Sequence, residues 1–176
     1  TNDKPDHSRL NPDFFRTFDR VMAHCLERGV VAHVFLKVYN KLVNWPQRMS
    51  PEDDLYFSYV IARYQAYPNV VWDFSKESYN EPDHAYIRNR LRLIRETDGY
   101  DRLCTTHDDD NFYADPGMRS SVDFCTDQNH SDWQETVLKQ RKALSQPIHV
   151  AEYGYEWGKG GPEDKTFGSV QSPEDV

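Results

Sequence analysis

Tyr-Pro-Asn-Val-Val-Trp-Asp-Phe-Ser-Lys-Glu, residues 67–77, carries the strongest structural signal in the chain. Pro68 ends a helical pattern, residues 69–74 are an apolar, β-branched run, and the stretch finishes on the carboxylate of Glu77. A second stretch ends the same way. In Pro-Ile-His-Val-Ala-Glu-Tyr-Gly-Tyr-Glu, residues 147–156, a strand pattern terminates at Glu152. Carboxylates just past the C-terminal ends of strands that alternate with helices sit where (β/α)-barrels keep their reactive groups. Two of them, from different strands, are the acid and the nucleophile that retaining glycoside hydrolysis requires.

The flanking segments repeat this helix–strand cycle. Asn11-Pro12 reads as an N-cap with proline in the first turn, and Phe14, Phe18, Met22 and Cys25 recur at helical spacing as one buried stripe. Gly29 stops that helix, and residues 30–36 read as a buried strand. Ser50-Pro51 opens the next helix, with Leu55 and Tyr59 on its apolar side, and it leads into the strand at 69–74. A helix spans about 82–97 with Ile87, Leu91 and Ile94 inward. Residues 102–106 and 121–126 are short strands. Ser131-Asp132 caps a helix through Leu144, and residues 147–152 are the last strand. The order α-β-α-β-α-β-loop-β-α-β predicts parallel strands with right-handed crossovers. No glycine-rich phosphate loop follows a strand, which disfavours a dinucleotide-binding sheet and leaves an α/β fold of the (β/α)8 TIM-barrel type.

Composition narrows the partner. With 176 residues the chain can build one substantial core, and 11 Tyr, 9 Phe and 4 Trp supply rings that stack on sugar faces as readily as on each other. A net charge of −8 argues against nucleic acid and anionic polymers and favours a neutral substrate. Cys25, Cys104 and Cys125 lack any CxxC pair and read as free buried thiols. No apolar run approaches bilayer length, so no membrane-spanning segment is expected. The chain starts at Thr1 rather than Met, as a processed or truncated product would.

Three segments add a family resemblance. Asn-Pro-Asp-Phe-Phe-Arg-Thr-Phe-Asp (11–19), the run from Tyr59 through Arg63-Tyr64 to Trp72-Asp73, and Ala-Glu-Tyr-Gly-Tyr-Glu (151–156) resemble the apiosidase-like, cellulase-like glycoside hydrolases, which are similar to the wider clan-A (β/α)8 hydrolases. The resemblance implies a glycosidase of polysaccharide or oligosaccharide without a cofactor, secreted or periplasmic, with Glu77 as acid/base after the fourth strand and Glu152 as nucleophile ending the seventh. Lys76 stands where members of the wider clan commonly have Asn. By this matching only strands three to seven are present. The expectation is an incomplete barrel: an irregular segment at 1–10, the partial barrel at 11–157 and an irregular tail at 158–176. Its open edges call for the remainder of the barrel or for self-association.

Around the two glutamates, Lys37, Tyr39, Asn40 and Trp45 read as a sugar-stacking wall, and Asn80 as the residue supporting Glu77. Lys76 and Glu81 read as solvated loop residues. His107, after the strand at 102–106, is a binding candidate at the head of the acidic run 107–111, which otherwise reads as a solvated turn. Gln128, Asn129 and His130 reach the cleft from the sixth-strand position, and Tyr155 and Glu156 from beyond the seventh. Two other readings stay open: a carbohydrate-binding module that has lost activity, and a metal-dependent hydrolase built on 107–111, because clustered carboxylates suit hard cations.

Overall fold

The computed structural model describes residues 5–108, 113–130, 132–157, 161–163 and 170–172. Helix α1 (Pro12–Glu27) starts where the Asn11 side chain accepts the backbone N–H groups of Asp13 and Phe14. Gly29, at φ +67°, ends it. Strand β1 (Ala32–Val38) follows, then α2 (Pro51–Tyr64), begun by the Ser50 hydroxyl accepting from the N–H of Asp53. Next come β2 (Val70–Lys76) and α3 (His84–Thr97), capped by Asp83. The chain continues through β3 (Cys104–Thr105), β4 (His107–Asp108), α4 (Pro116–Arg119), β5 (Cys125–Gln128), α5 (Trp133–Ala143), β6 (Ile148–Glu152), β7 (Tyr155–Glu156) and β8 (Val170–Gln171).

Among the described residues every strand pairing is parallel. Strands β1-β2-β3 form one hydrogen-bonded sheet and β4-β5-β6 another, with β4 beside β2. Together they make the partial wall of a (β/α)8 barrel. Helices pack on its outer face, where Trp72 and Phe74 of β2 meet Phe57, Ile61 and Tyr64 of α2 and Ile87, Leu91 and Ile94 of α3, all essentially without solvent exposure. Phe74 stacks on Phe57 and meets Tyr86 edge-on, with ring centres 6.2 and 5.8 Å apart. Such pairs add about 1 kcal/mol each beyond area burial.

Strand boundaries depart from the sequence pattern for local reasons. Val30 donates its N–H to Cys25 O at 2.9 Å, closing α1, so β1 starts at Ala32 and runs to Val38. Ser121 and Val122 likewise donate to Met118 and Arg119 at the end of α4, which delays β5 to Cys125. The strand expected at 102–106 is split. Thr106 gives its carbonyl to the Tyr113 hydroxyl instead of a ladder, and pairing resumes at His107 with a new neighbour. In α1 the buried face is Phe15, Phe18 and Met22 rather than a stripe through Phe14, because Phe15 packs on Tyr59 and Phe18 on Tyr64, with ring centres 4.8 and 4.9 Å apart. In α2 Phe57 is buried and Leu55 faces solvent. The tail is not wholly irregular, since Val170–Gln171 pairs with Tyr155–Glu156. All three cysteines are free; Cys104 and Cys125 are buried, whereas Cys25 is only half-buried.

Lys37 is no part of a sugar-facing wall. Its ammonium is buried 2.8 Å from Asp53 Oδ1, touches the Tyr86 hydroxyl and lies over the Phe57 and Tyr86 rings. Arg90 adds a second cation 3.2 Å from Asp53 Oδ2 and 2.6 Å from Asp54. Burial pulls the Lys37 ammonium below its ordinary range, and Asp53 opposes that fall. The network pins β1 to α2 and α3. Asp53→Ala strands a buried cation, so we expect a loss of about 3–5 kcal/mol in urea unfolding, with the double replacement Asp53→Leu, Lys37→Met recovering much of it.

On the inner face, Asp73 is completely buried. It accepts from His33 Nε2 at 2.8 Å, from the N–H of Ser75 at 3.0 Å and from the N–H of His107 at 3.0 Å. Burial raises its carboxyl's affinity for a proton in spite of these donors. His107, under 2% exposed, is depressed to about 4, first by burial and then by the nearby Lys76 charge. Between pH 6.5 and about 4 the unfolded imidazole binds a proton that the folded one refuses, so stability falls as pH falls through this window. We expect His107→Asn to remove that component. The gap in unfolding free energy between wild type and variant should shift by about 3 kcal/mol between pH 7 and pH 4.

Candidate active site

Glu77 is the residue immediately after β2. Its backbone is left-handed, at φ 55° and ψ 52°, a conformation that is uncommon for a residue with a side chain. Three contacts hold it there. Its N–H donates to His107 Nδ1 at 3.4 Å, its carbonyl accepts from the N–H of Asn80 at 3.1 Å, and the next residue, Ser78, donates its hydroxyl to Asp108 Oδ2 at 2.6 Å. Because His107 Nδ1 accepts, the neutral ring carries its proton on Nε2, a buried atom without a partner. The Glu77 side chain is pinned by Asn40, whose Nδ2 donates to Oε1 at 2.7 Å.

Glu152 comes from the far side of the wall, and a bulge aims it. Strict alternation gives Glu152 the orientation of Ile148 and Val150, and the sequence pattern predicts that parity. The β5–β6 register instead pairs Asp127 with Val150 and then Gln128 with Glu152, skipping Ala151. The extra residue turns Glu152 to the face of His149, whose ring lies 5.7 Å from that of His33 on β1.

Lys76 joins the two glutamates. Its Nζ lies 3.4 Å from Glu77 Oε1 and makes a closer ion pair with Glu152 Oε2. Glu152 Oε1 accepts from the Tyr155 hydroxyl and lies 3.4 Å from His130 Nε2. Burial works against its charge, but the hydrogen bonds from Lys76 and Tyr155 prevail and hold the Glu152 carboxyl below the ordinary glutamate range. The Tyr155 hydroxyl is pushed up to about 12 by that same bond and by burial.

The other expected site residues divide. Asn40, His107, Gln128, His130 and Tyr155 gather around the two glutamates; Gln128 Nε2 lies 3.0 Å from His130 Nε2 and leaves its own Oε1 buried without a partner. Tyr39 does not join them: its hydroxyl donates to Glu81 Oε2 at 2.8 Å, behind the site. Glu81, expected in solvent, is buried against Arg48 and Tyr39. Trp45 is turned back, its Nε1–H donating to Val38 O at 3.1 Å. Asn80 is exposed and touches the Glu77 backbone rather than its carboxyl. Asn129 serves the start of α5, donating to Thr136 Oγ1 and accepting from the N–H of Asp132. Glu156 is exposed on β7. Of the acidic run, His107 and Asp108 are buried rather than solvated, while Asp109, Asp110 and Asn111 lie outside the described residues. Among the described residues no three His, Cys, Asp or Glu side chains converge as a metal site. Lys76 is the functional candidate that the sequence pattern passed over; its place directly before Glu77 is the only signal it gives.

Solved structures share this fold at low sequence identity. A candidate glycoside hydrolase from Bacteroides vulgatus superposes with a TM-score of 0.69 at 17% identity, over 96% of this chain and 41% of its own. A family 5 glycoside hydrolase from the same organism gives 0.62 at 18%, over 81% and 35%. A GH10 xylanase from Thermobacillus composti gives 0.62 at 16%, over 99% and 62%. The chain thus spans less than two thirds of each of these relatives. No functionally curated protein matches it. The model of the apiosidase-like catalytic domain matches residues 1–175, and the chain belongs to that family.

Proposed function

We propose that this chain carries the catalytic dyad of a retaining glycoside hydrolase acting on a neutral oligosaccharide or polysaccharide. The observation that carries the reading is the convergence of Glu77 and Glu152 on one ammonium at the C-terminal ends of β2 and β6. Two carboxyls that both touch Lys76 Nζ are separated by no more than two ion-pair contacts. Retaining enzymes hold theirs about 5–5.5 Å apart, whereas inverting enzymes leave room for a water between. Family membership and relatives named as glycoside hydrolases, one of them a xylanase, support a glycan substrate.

In this mechanism Glu152, kept ionised by Lys76 and Tyr155, attacks the anomeric carbon. Glu77 gives its proton to the departing glycosidic oxygen, and a covalent glycosyl–Glu152 ester forms. Glu77, now a carboxylate, takes a proton from water, which attacks the anomeric carbon and frees Glu152. Asn40 orients the acid through Oε1, and His107 holds its backbone.

The reading is tested by product stereochemistry and by removing each carboxyl. We expect proton NMR to show the first-formed sugar with its anomeric configuration retained. Glu152→Gln should lower kcat about a thousandfold or more on every substrate. Glu77→Gln should cost about 10²–10⁴-fold on an unactivated glycoside, yet far less on a dinitrophenyl glycoside, whose leaving group needs no proton. An inverted product, or full activity in Glu152→Gln, would overturn the dyad.

A further inference from the structure

We propose that Lys76 is a positioning residue that couples the two carboxylates, holding Glu77 and Glu152 on one ammonium and so setting the pH window in which they divide the roles of acid and nucleophile. The inference rests on the dyad reading above and goes beyond it. Two carboxyls facing each other repel once both ionise, and that repulsion is the ordinary device by which one of them keeps its proton. A cation in contact with both cancels much of it.

The groups around the two glutamates come from several elements. From the segment after β1, Asn40 reaches Glu77 and is neutral. From β4, His107 faces the Glu77 backbone and is held neutral by burial. Beyond β5 and in β7, His130 and Tyr155 reach Glu152, and the Tyr155 hydroxyl also feels the Glu77 charge. The Lys76 backbone is fixed, its carbonyl accepting from the N–H of Tyr39 at 3.1 Å and from the Ser75 hydroxyl at 2.9 Å. Its side chain, one quarter exposed, has a solvent route by which the ammonium turns aside when a sugar enters between the carboxyls.

The test compares wild type, Lys76→Gln and Lys76→Arg by the pH dependence of kcat/KM and by carbon-13 NMR titration of the Glu152 carboxyl. In Lys76→Gln we expect both limbs of the rate profile, and the Glu152 titration, to move up by about 1–2 pH units. Lys76→Arg, which keeps the charge, should restore the wild-type profile to within about half a unit. The Glu152 titration is read without turnover, so it separates the coupling from catalysis. Unmoved limbs and an unmoved Glu152 titration in Lys76→Gln would overturn the proposal. Failure of the dyad itself looks different: turnover survives Glu152→Gln while the Glu152 titration still moves in Lys76→Gln.

Discussion

Asp73 is the constraint on which the arrangement hangs. A carboxylate completely removed from water is tolerable only when its oxygens are occupied, and its three donors come from different parts of the wall: the His33 side chain on β1, Ser75 on its own strand and the His107 backbone on β4. Regular pairing stops at Thr106, between β3 and β4, so Asp73 bridges the place where the two sheets meet. It thereby fixes His107. That residue in turn accepts from the N–H of Glu77 and supports the left-handed turn that presents the carboxyl.

A second layer of buried charge stands behind the site. Lys37, Asp53, Tyr86 and Arg90 form one network, and Tyr39, Glu81 and Arg48 another. Neither leaves its charge unpaired, and both tie β1 to the segments that follow β2. Buried ion pairs of this kind contribute little net stability relative to an apolar core, but breaking one is costly, because the surviving partner cannot return to water without local unfolding. Their effect is to fix the backbone from which Asn40 reaches Glu77.

In the site itself, charge is arranged unequally. Glu152 receives a cation and a phenolic hydroxyl on opposite oxygens, which hold its carboxyl below the ordinary glutamate range, as the nucleophilic role proposed for it requires. Glu77 receives an amide from Asn40 and only the longer contact with Lys76. Two chemically identical side chains are thus given different surroundings, and the groups that distinguish them, Lys76, Tyr155 and Asn40, come from β2, β7 and the segment after β1.

Much of this was legible in the sequence. The caps at Asn11 and Ser50, the parallel helix–strand order and the two glutamates at strand ends follow from local chemistry, since a cap or an apolar run needs only its neighbours in the chain. Strand ends were shifted wherever a helix terminus claimed the first strand residue, as at Val30 and Val122. The rest depended on contacts across the fold. No periodicity announces the skipped Ala151 that turns Glu152 inward, because a bulge is set by the partner strand. Tyr39, Trp45 and Glu81 looked like a solvent-facing wall and its surroundings, but the polar atoms buried behind β1 demanded them as partners. Lys76 looked like an ordinary solvated lysine. The sequence by itself determined a parallel α/β wall with a carboxylate at each of two strand ends. Only the tertiary structure decided that these carboxylates meet on Lys76, because the residues that bring them together are 76 positions apart and a charge takes its meaning from what surrounds it in space.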